Sequence, residues 1–120
     1  MKSKKNDCIE QAVSFDEFAK LDIRVGTVKA VKQHPNADKL YVLLIEMGEG
    51  KEDLQLVAGL KEYYSEDELI GKQIAVVVNL EHREIRGIRS QGMLLAADDG
   101  RNPVSLLVTD RKVDDNAKVR

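Results

Sequence analysis

Residues 73–80 constrain the fold more than any other part of this chain. They contain the run IAVVV at positions 74–78, in which apolar and polar residues do not alternate. Such a run is typical of a strand that is covered on both faces. The whole chain has 120 residues, which is enough for one core of this kind but not for two. We therefore expect a single domain built around this central strand, with its function on a surface or in a groove.

The other apolar segments are short, rich in β-branched residues and separated by turn residues. They predict strands at residues 23–31, 41–47 and 54–60, one or two more within 85–97, and a last one at 106–108. Gly26 interrupts the first of these segments and predicts a bend or bulge there. Turns are predicted at residues 34–36, 48–50 and 98–103, which are rich in Pro, Asn, Asp and Gly.

Two short helices are predicted from their capping signals. Ser14 is followed three residues later by Glu17, which is a capping-box arrangement, and Ser65 precedes a helix at residues 66–70 that Gly71 ends. About five strands with one helix between the third and the fourth match a small Greek-key barrel of the oligonucleotide-binding (OB) type. The expected class is therefore all-β with short helices. A split sandwich of a sheet and helices is the alternative.

The first residues differ in composition from the rest. Residues 1–12 are mostly polar, include Lys2, Lys4 and Lys5, and lack periodicity, so we expect a flexible tail followed by one domain over residues 13–120. No segment approaches the ~20 apolar residues of a membrane span, and no signal peptide is recognisable. Cys8 is the only cysteine, which excludes an internal disulfide. A soluble, cytoplasmic protein is expected.

Charge is distributed unevenly along the chain. The formal net charge is −2, which by itself argues against a nucleic-acid partner. Residues 46–68 hold two basic and eight acidic side chains, whereas residues 69–92 hold four basic and two acidic ones. If the acidic block folds to one side, the opposite face can carry the positive field of a nucleic-acid binder. A mixed, solvated surface is the alternative.

No set of residues for catalysis or metal binding can be assembled from the sequence. His34 and His82 have no cysteine partner and no metal-binding spacing, and the glycine clusters lack the pattern of a phosphate-binding loop. Ser90 lacks the glycine that stands two residues before a hydrolase nucleophile. Asp98 and Asp99 precede a glycine, as in a solvated turn. We expect no enzyme activity, cofactor, metal or small-molecule substrate.

Residues 79–93 contain the most informative polar pattern. Arg83, Arg86 and Arg89 are spaced three apart directly after the central strand. Arginine suits phosphate because its planar guanidinium donates two parallel hydrogen bonds. In an extended chain Arg83 and Arg89 face the same way and Arg86 faces oppositely, unless a loop reorients it. The alternative is a hairpin whose solvated arginines are balanced by Glu81 and Glu84.

Several segments in register resemble a known family. They are FDEFAKLDIRVG at 15–26, HPNADKLY at 34–41, VAGL at 57–60, GK at 71–72, VVNL at 77–80 and SQGMLLA at 90–96. Together they resemble the tRNA-binding domain found at the C-terminus of many bacterial methionyl-tRNA synthetases, as a separate synthetase β subunit, and as free-standing tRNA-binding proteins. The resemblance extends from about residue 13 to the last residue. It implies an OB barrel, in agreement with the strand order.

The resemblance implies a non-catalytic module that binds tRNA by shape near its elbow and assists methionyl-tRNA synthetase in cis or in trans. Matching motif positions suggest three surface contacts, and chemistry adds four phosphate contacts. The first set is Asn79, Ser90 and Met93, and the second is Lys72, Arg83, Arg86 and Arg89. Apart from two phenylalanines expected in the core, only three tyrosines could stack on bases, so backbone contacts are favoured over stacked single strands.

The resemblance also implies a homodimer formed by the two ends of the domain. Phe15 and Phe18 lie at one end, and the residues at the other are Val104, Leu106, Leu107 and Val108. A peptide-binding chaperone of the related CsaA type, which uses a similar dimer groove, is the main alternative function. An uncharacterised enzyme is the third hypothesis.

Overall fold

The computed structural model describes residues 11–120, so the predicted tail lies outside this range except for its last two residues. The described residues form two helices and nine strands. The elements are α1 (Phe15–Ala19), β1 (Ile23–Gln33), β2 (Tyr41–Glu46), β3 (Leu54–Ala58), α2 (Glu66–Leu69), β4 (Gln73–Val77), β5 (Arg83–Ile85), β6 (Ile88–Ser90), β7 (Met93–Leu94), β8 (Ala96–Ala97) and β9 (Ser105–Leu106). Within residues 11–120, neither helix has the length and apolar composition that a membrane crossing requires.

Five of the strands form one antiparallel sheet in the order β3-β2-β1-β4-β7. The sheet curls into a nearly closed barrel, in which β3 approaches β6 and β7. The predicted OB-type barrel is therefore confirmed, and the alternative of a split sandwich is wrong. The central strand of the prediction is β4, which lies between β1 and β7.

The core lies inside this barrel. On β2, Tyr41, Leu43 and Ile45 are buried, while the residues between them are half-buried, as expected for a strand with one inward face. Leu69 of α2 closes the core and is fully buried. The largest fully buried side chains are Leu43, Ile45, Leu56, Leu69, Ile74, Val28 and Val76.

The irregularity of β1 lies three residues beyond the predicted one. The pairing register of β1 with β2 shifts between Val28 and Ala30, so the bulge is at Lys29 and not at Gly26. Gly26 has a different role, because a Cβ there would lie 2.5 Å from Ile45 Cγ2 and 2.6 Å from Met47 Sδ. The glycine therefore permits close packing of β1 on β2.

Both helices begin with a capping box, but only α2 contributes to the core. The hydroxyls of Ser14 and Ser65 each accept a hydrogen bond from a backbone N–H three residues later. No residue of α1 is buried, and Phe15 and Phe18 are 78% and 43% exposed. The two phenylalanines are therefore not core residues, which corrects that expectation.

The segment after β7 wraps around the start of β4. The Gln73 amide donates to the carbonyl of Val113 at 2.6 Å and accepts from the Thr109 hydroxyl at 3.2 Å. Leu106 is buried in the core, and Val104 packs against it. Leu106 therefore does not belong to an exposed interface, which corrects the expectation for it, whereas Val104 is half-buried. Leu107 and Val108 are about half exposed.

Candidate functional site

The three arginines lie on or at the tip of the β5–β6 hairpin, which forms a two-stranded sheet of its own. Its register pairs Arg83 with Ser90 and Glu84 with Arg89. Directly opposed residues of an antiparallel pair share a face, so Arg83 and Arg89 lie on opposite faces. The expectation that they face the same way is wrong, because the turn between the strands reverses the relation that holds along a single extended strand.

Arg86 and Gly87 form the two-residue turn of this hairpin. Both have positive φ, at 54° and 90°, which is the pattern of a type I′ turn. Asn, Asp or Gly usually occupies the first turn position, because other residues pay a steric cost of about 1 kcal/mol there. The arginine at this position therefore goes against the local conformational preference.

The tip of the hairpin is attached to the loop between β1 and β2. His34 Nε2 lies 2.9 Å from the carbonyl oxygen of Ile85, and the Asn36 side-chain amide donates to the carbonyl of Arg86 at 3.3 Å. Both loops thus lie at the same end of the barrel. In OB folds these two loops and the neighbouring β2–β3 face form the usual site for oligonucleotides.

A groove of about 230 Å³ lies beside the hairpin. It brings together three of the predicted site residues: Arg83, Ser90 and Met93. The Met93 side chain is 50% exposed and therefore available for contact. Apolar side chains line much of the remainder, namely Val57, Leu80 and Ile85.

The arginines of the hairpin form no ion pair with an acidic side chain in the part of the chain that the structure describes. Arg83, Arg86 and Arg89 are exposed, and none of them takes part in an ion pair among residues 11–120. The predicted balancing of these charges by Glu81 and Glu84 does not take the form of ion pairs. The guanidinium groups are therefore available for an external anion.

Ser90 is buried, which corrects its expected role as a surface contact. Its hydroxyl accepts from the Val57 N–H at 3.1 Å and donates to the Gly92 carbonyl at 3.1 Å. The next residue, Gln91, accepts from the Gln55 N–H through its side chain and donates its own N–H to the Gln55 carbonyl, both at 2.8 Å. The Ser-Gln-Gly segment therefore joins β3 to the strands that close the barrel.

Asn79 is exposed, but its amide is bonded to the backbone. Its oxygen accepts from the Asp22 N–H at 2.8 Å, and its nitrogen donates to the Lys20 carbonyl at 2.7 Å. The side chain thus ties the segment before β1 to the end of β4. Lys72 lies at the opposite end of β4, seven residues and roughly 20 Å of extended chain from Asn79. It is not brought to the hairpin.

The family model described as "Putative tRNA binding domain" matches residues 23–117. The chain belongs to this tRNA-binding domain family. The resemblance noted from the motifs is thereby confirmed. The family is a non-catalytic module, which supports the prediction that the chain is not an enzyme.

Individual relatives agree with this membership. This chain is 56% identical over 108 residues to a methionine–tRNA ligase of Pyrococcus horikoshii, and the match covers 90% of this chain and 14% of that protein. The chain thus spans about one seventh of such relatives. A structure of a "MetRS related protein" from the same organism has a TM-score of 0.84 and 32% identity, covering 92% of this chain and 99% of the other. The chaperone CsaA of Bacillus anthracis has a TM-score of 0.82 and 28% identity, covering 91% and 99%.

The Asp98–Asp99 pair belongs to the turn between β8 and β9. The Asp99 carboxylate accepts hydrogen bonds from the backbone N–H groups of Asn102 and Arg101, at 2.8 and 2.9 Å. These bonds, with the Asn102 side-chain amide, lower the pKa of Asp99 to about 2. A carboxylate held this firmly in its ionised form stabilises a turn and is poorly suited to proton transfer.

Sequence reasoning missed the residues that hold the hairpin in place. It assigned residues 34–36 to a turn and to a family motif, and it connected neither these residues nor Gln55 with the arginine segment. The partners lie 51 residues apart for His34 and Ile85, and 34 residues apart for Gln55 and Arg89. A histidine directly before the proline of a turn was the one available signal, because a histidine ring that becomes buried there needs hydrogen-bonding partners.

Proposed function

We propose that residues 13–120 form a tRNA-binding domain whose contact surface is the β5–β6 hairpin and the adjoining groove. The observation that carries the proposal is a set of three exposed arginines, without an ion pair among residues 11–120, on a hairpin docked at the end of an OB barrel where such folds bind oligonucleotides. Arg83, Arg86 and Arg89 are assigned to phosphates, and Met93 to an exposed ribose or base. Ser90 and Asn79 support this surface through the backbone, whereas Lys72 lies outside it.

The arrangement favours recognition of tRNA by shape. The hairpin is short, with three residues in each strand, and carries arginines on both faces and at its tip. Such an element can contact phosphates and ribose hydroxyls of a folded RNA without reading base edges. Stacking on aromatic side chains contributes little at this surface, because the residues that line the groove include no Phe or Tyr and Tyr41 is buried, with its hydroxyl donating to the Tyr64 carbonyl.

We infer that the domain raises the local concentration of tRNA for a methionyl-tRNA synthetase, in cis or in trans. Its relatives named methionine–tRNA ligase support this role, since the chain matches a small part of each. An effective concentration supplied by a second binding module lowers the apparent dissociation constant without new contacts at the catalytic site. With this role, the domain is expected to be located in the cytoplasm.

We also infer a homodimer, in which the exposed apolar side chains at the two ends of the domain are covered by a second copy. The helix α1 buries none of its residues, although Phe15 and Phe18 are large and apolar. Leu107 and Val108 are 47% and 52% exposed. Exposed apolar residues of this size are typical of a protein–protein contact.

A titration of total tRNA at two salt concentrations tests the RNA-binding proposal. Binding weakens as salt rises, with a log–log slope of about −0.7 to −0.9 for each neutralised phosphate. Arg83→Glu or Arg86→Glu lowers the affinity by about tenfold, because a phosphate contact is replaced by repulsion. Lys51→Glu is the matched control, since Lys51 is in the turn after β2, at the end of that strand away from the hairpin. Equal effects of all three reversals contradict the proposal.

Peptide binding is the second candidate function. It is favoured by the apolar lining of the groove at Val57, Leu80 and Ile85 and by the structural similarity to CsaA chaperones. An extended apolar peptide that displaces tRNA from the hairpin surface supports this function. Tight tRNA binding that is indifferent to such a peptide speaks against it.

A further inference from the structure

The loop between β1 and β2 contains a buried histidine whose hydrogen bonds define its tautomer. His34 is 5% exposed. The backbone N–H of Asn36 donates to His34 Nδ1 at 3.0 Å, so this nitrogen carries no proton. The proton of the neutral ring is then on Nε2, which donates to the Ile85 carbonyl at 2.9 Å. A single tautomer thus joins the loop to the hairpin.

A second bond connects the same two segments. The Asn36 side-chain amide donates to the Arg86 carbonyl at 3.3 Å. Two consecutive carbonyl groups at the hairpin tip, those of Ile85 and Arg86, are therefore bonded to one loop. Gly87 also lies close, because a Cβ there would be 4.0 Å from the Asn36 amide nitrogen.

The hairpin needs such support. A two-stranded hairpin with three residues in each strand is marginally stable on its own. The base of the hairpin is fixed to β3 by Ser90, Gln91 and Gln55. The bonds from His34 and Asn36 fix the tip, where Arg86 has a positive φ.

We propose that His34 and Asn36 are positioning residues for tRNA binding. They hold the hairpin tip, and with it the Arg86 backbone, in the conformation that presents the guanidinium groups to RNA. This role rests on the proposed function. A tip that is already ordered binds RNA without the additional entropic cost of immobilising it in the complex.

Two substitutions of His34 separate its two hydrogen bonds. His34→Asn keeps an acceptor near the Nδ1 position for the Asn36 N–H but lacks the length to reach Ile85. His34→Gln places an amide donor near the Nε2 position and loses the acceptor. We expect His34→Asn to weaken tRNA binding about fivefold to tenfold, and His34→Gln to remain within about twofold of the wild type. Asn36→Ala, at an exposed position, is expected to weaken binding about twofold to threefold.

Two further measurements distinguish positioning from general destabilisation. In His34→Asn, amide hydrogen exchange rises at residues 84–88 and stays unchanged in β2 and β4. The salt dependence of tRNA binding also becomes shallower, by up to about one phosphate contact, because Arg86 is no longer presented. A variant that is merely partly unfolded keeps the wild-type slope.

The outcomes are separable from those of the proposed function. If the wild-type domain binds tRNA and His34→Asn, His34→Gln and Asn36→Ala all keep its affinity and salt slope, the positioning role is overturned alone. If His34→Asn fails to fold, the same comparison is made with Asn36→Ala, which leaves the histidine in place. If the wild-type domain does not bind tRNA, the proposed function is overturned and this role with it.

Discussion

The hairpin β5–β6 and the helix α1 both expose side chains that the fold of one chain does not use, but the two regions differ in chemistry and in backbone strain. The hairpin places an arginine at a left-handed turn position, and its tip is hydrogen-bonded to side chains of a distant loop. Helix α1 obeys its local rules, with a complete capping box, yet leaves Phe15 78% exposed. Strain around a charge points to an anionic ligand, whereas an unstrained apolar surface points to a protein partner.

The largest expected effect concerns the apolar region. In the wild type we expect a dimer with twice the 13.5 kDa mass of the chain, and Phe15→Asp should convert it into a monomer. Burying a phenylalanine contributes about 1.5 kcal/mol or more, and a symmetric dimer contains two copies. The dimer dissociation constant should therefore rise by at least about a hundredfold, as measured by light scattering over a range of concentrations.

A matched substitution elsewhere controls for general loss of solubility or fold. Tyr63→Asp replaces another exposed aromatic residue, which is 40% exposed and lies in the segment between β3 and α2. It should leave the dimer intact. A wild-type chain that remains at the monomer mass at micromolar concentration contradicts the inferred homodimer. The contrast between the two regions then fails, since no second copy covers α1.

The next effect is at the hairpin tip, where stability and binding should change in opposite directions. Arg86→Asn places a residue that tolerates positive φ at the turn, so the free energy of unfolding should rise by about 1 kcal/mol. The same change should weaken tRNA binding by about fivefold to tenfold, because one phosphate contact is lost. Denaturant unfolding and tRNA titration measure the two quantities on the same preparation.

Arg111→Asn is the control for the loss of one positive charge. Arg111 lies in the C-terminal segment near Gln73 and is almost fully exposed. Its removal should change neither stability nor tRNA affinity appreciably. If Arg86→Asn lowers the free energy of unfolding, the positive φ of Arg86 does not have the steric cost assigned to it. The contrast between a strained hairpin tip and an unstrained helix α1 is then wrong.

The barrel could be predicted because its signals are local. The apolar run of β4, the turn residues and the serine caps each report on a few neighbouring residues, and together they indicate the order of the elements along the chain. The bulge in β1 was misplaced for the same reason. Gly26 is a glycine because Ile45 and Met47 pack against it, and the sequence does not show that cross-strand contact.

The candidate site was only partly predictable. The arginines were recognised from their chemistry, but the faces they occupy depend on a two-residue turn that reverses the strand. Ser90 and Asn79 were identified as important positions, yet their hydrogen bonds to Val57 and Asp22 are long-range and could not be read from spacing. Whether a polar residue of a family motif contacts RNA or stabilises the fold depends on such long-range hydrogen bonds.

The smallest effect concerns the β8–β9 turn, which differs from the hairpin tip in the groups that stabilise its conformation. Unlike the hairpin tip, this turn is held by its own carboxylate, because Asp99 accepts hydrogen bonds from Arg101 and Asn102. These bonds lower the pKa of Asp99 from 3.8 to about 2. Because the pKa of Asp99 is lower in the folded state than in the unfolded state, the ionised carboxylate stabilises the fold at pH values above the unfolded-state pKa. This contribution disappears as the pH falls from about 4 to 2.

Asp99→Asn should therefore be less stable than the wild type at neutral pH, and the difference in the free energy of unfolding should shrink over this acidic range. Unfolding curves at a series of pH values test this, and a difference that stays constant down to pH 2 contradicts it.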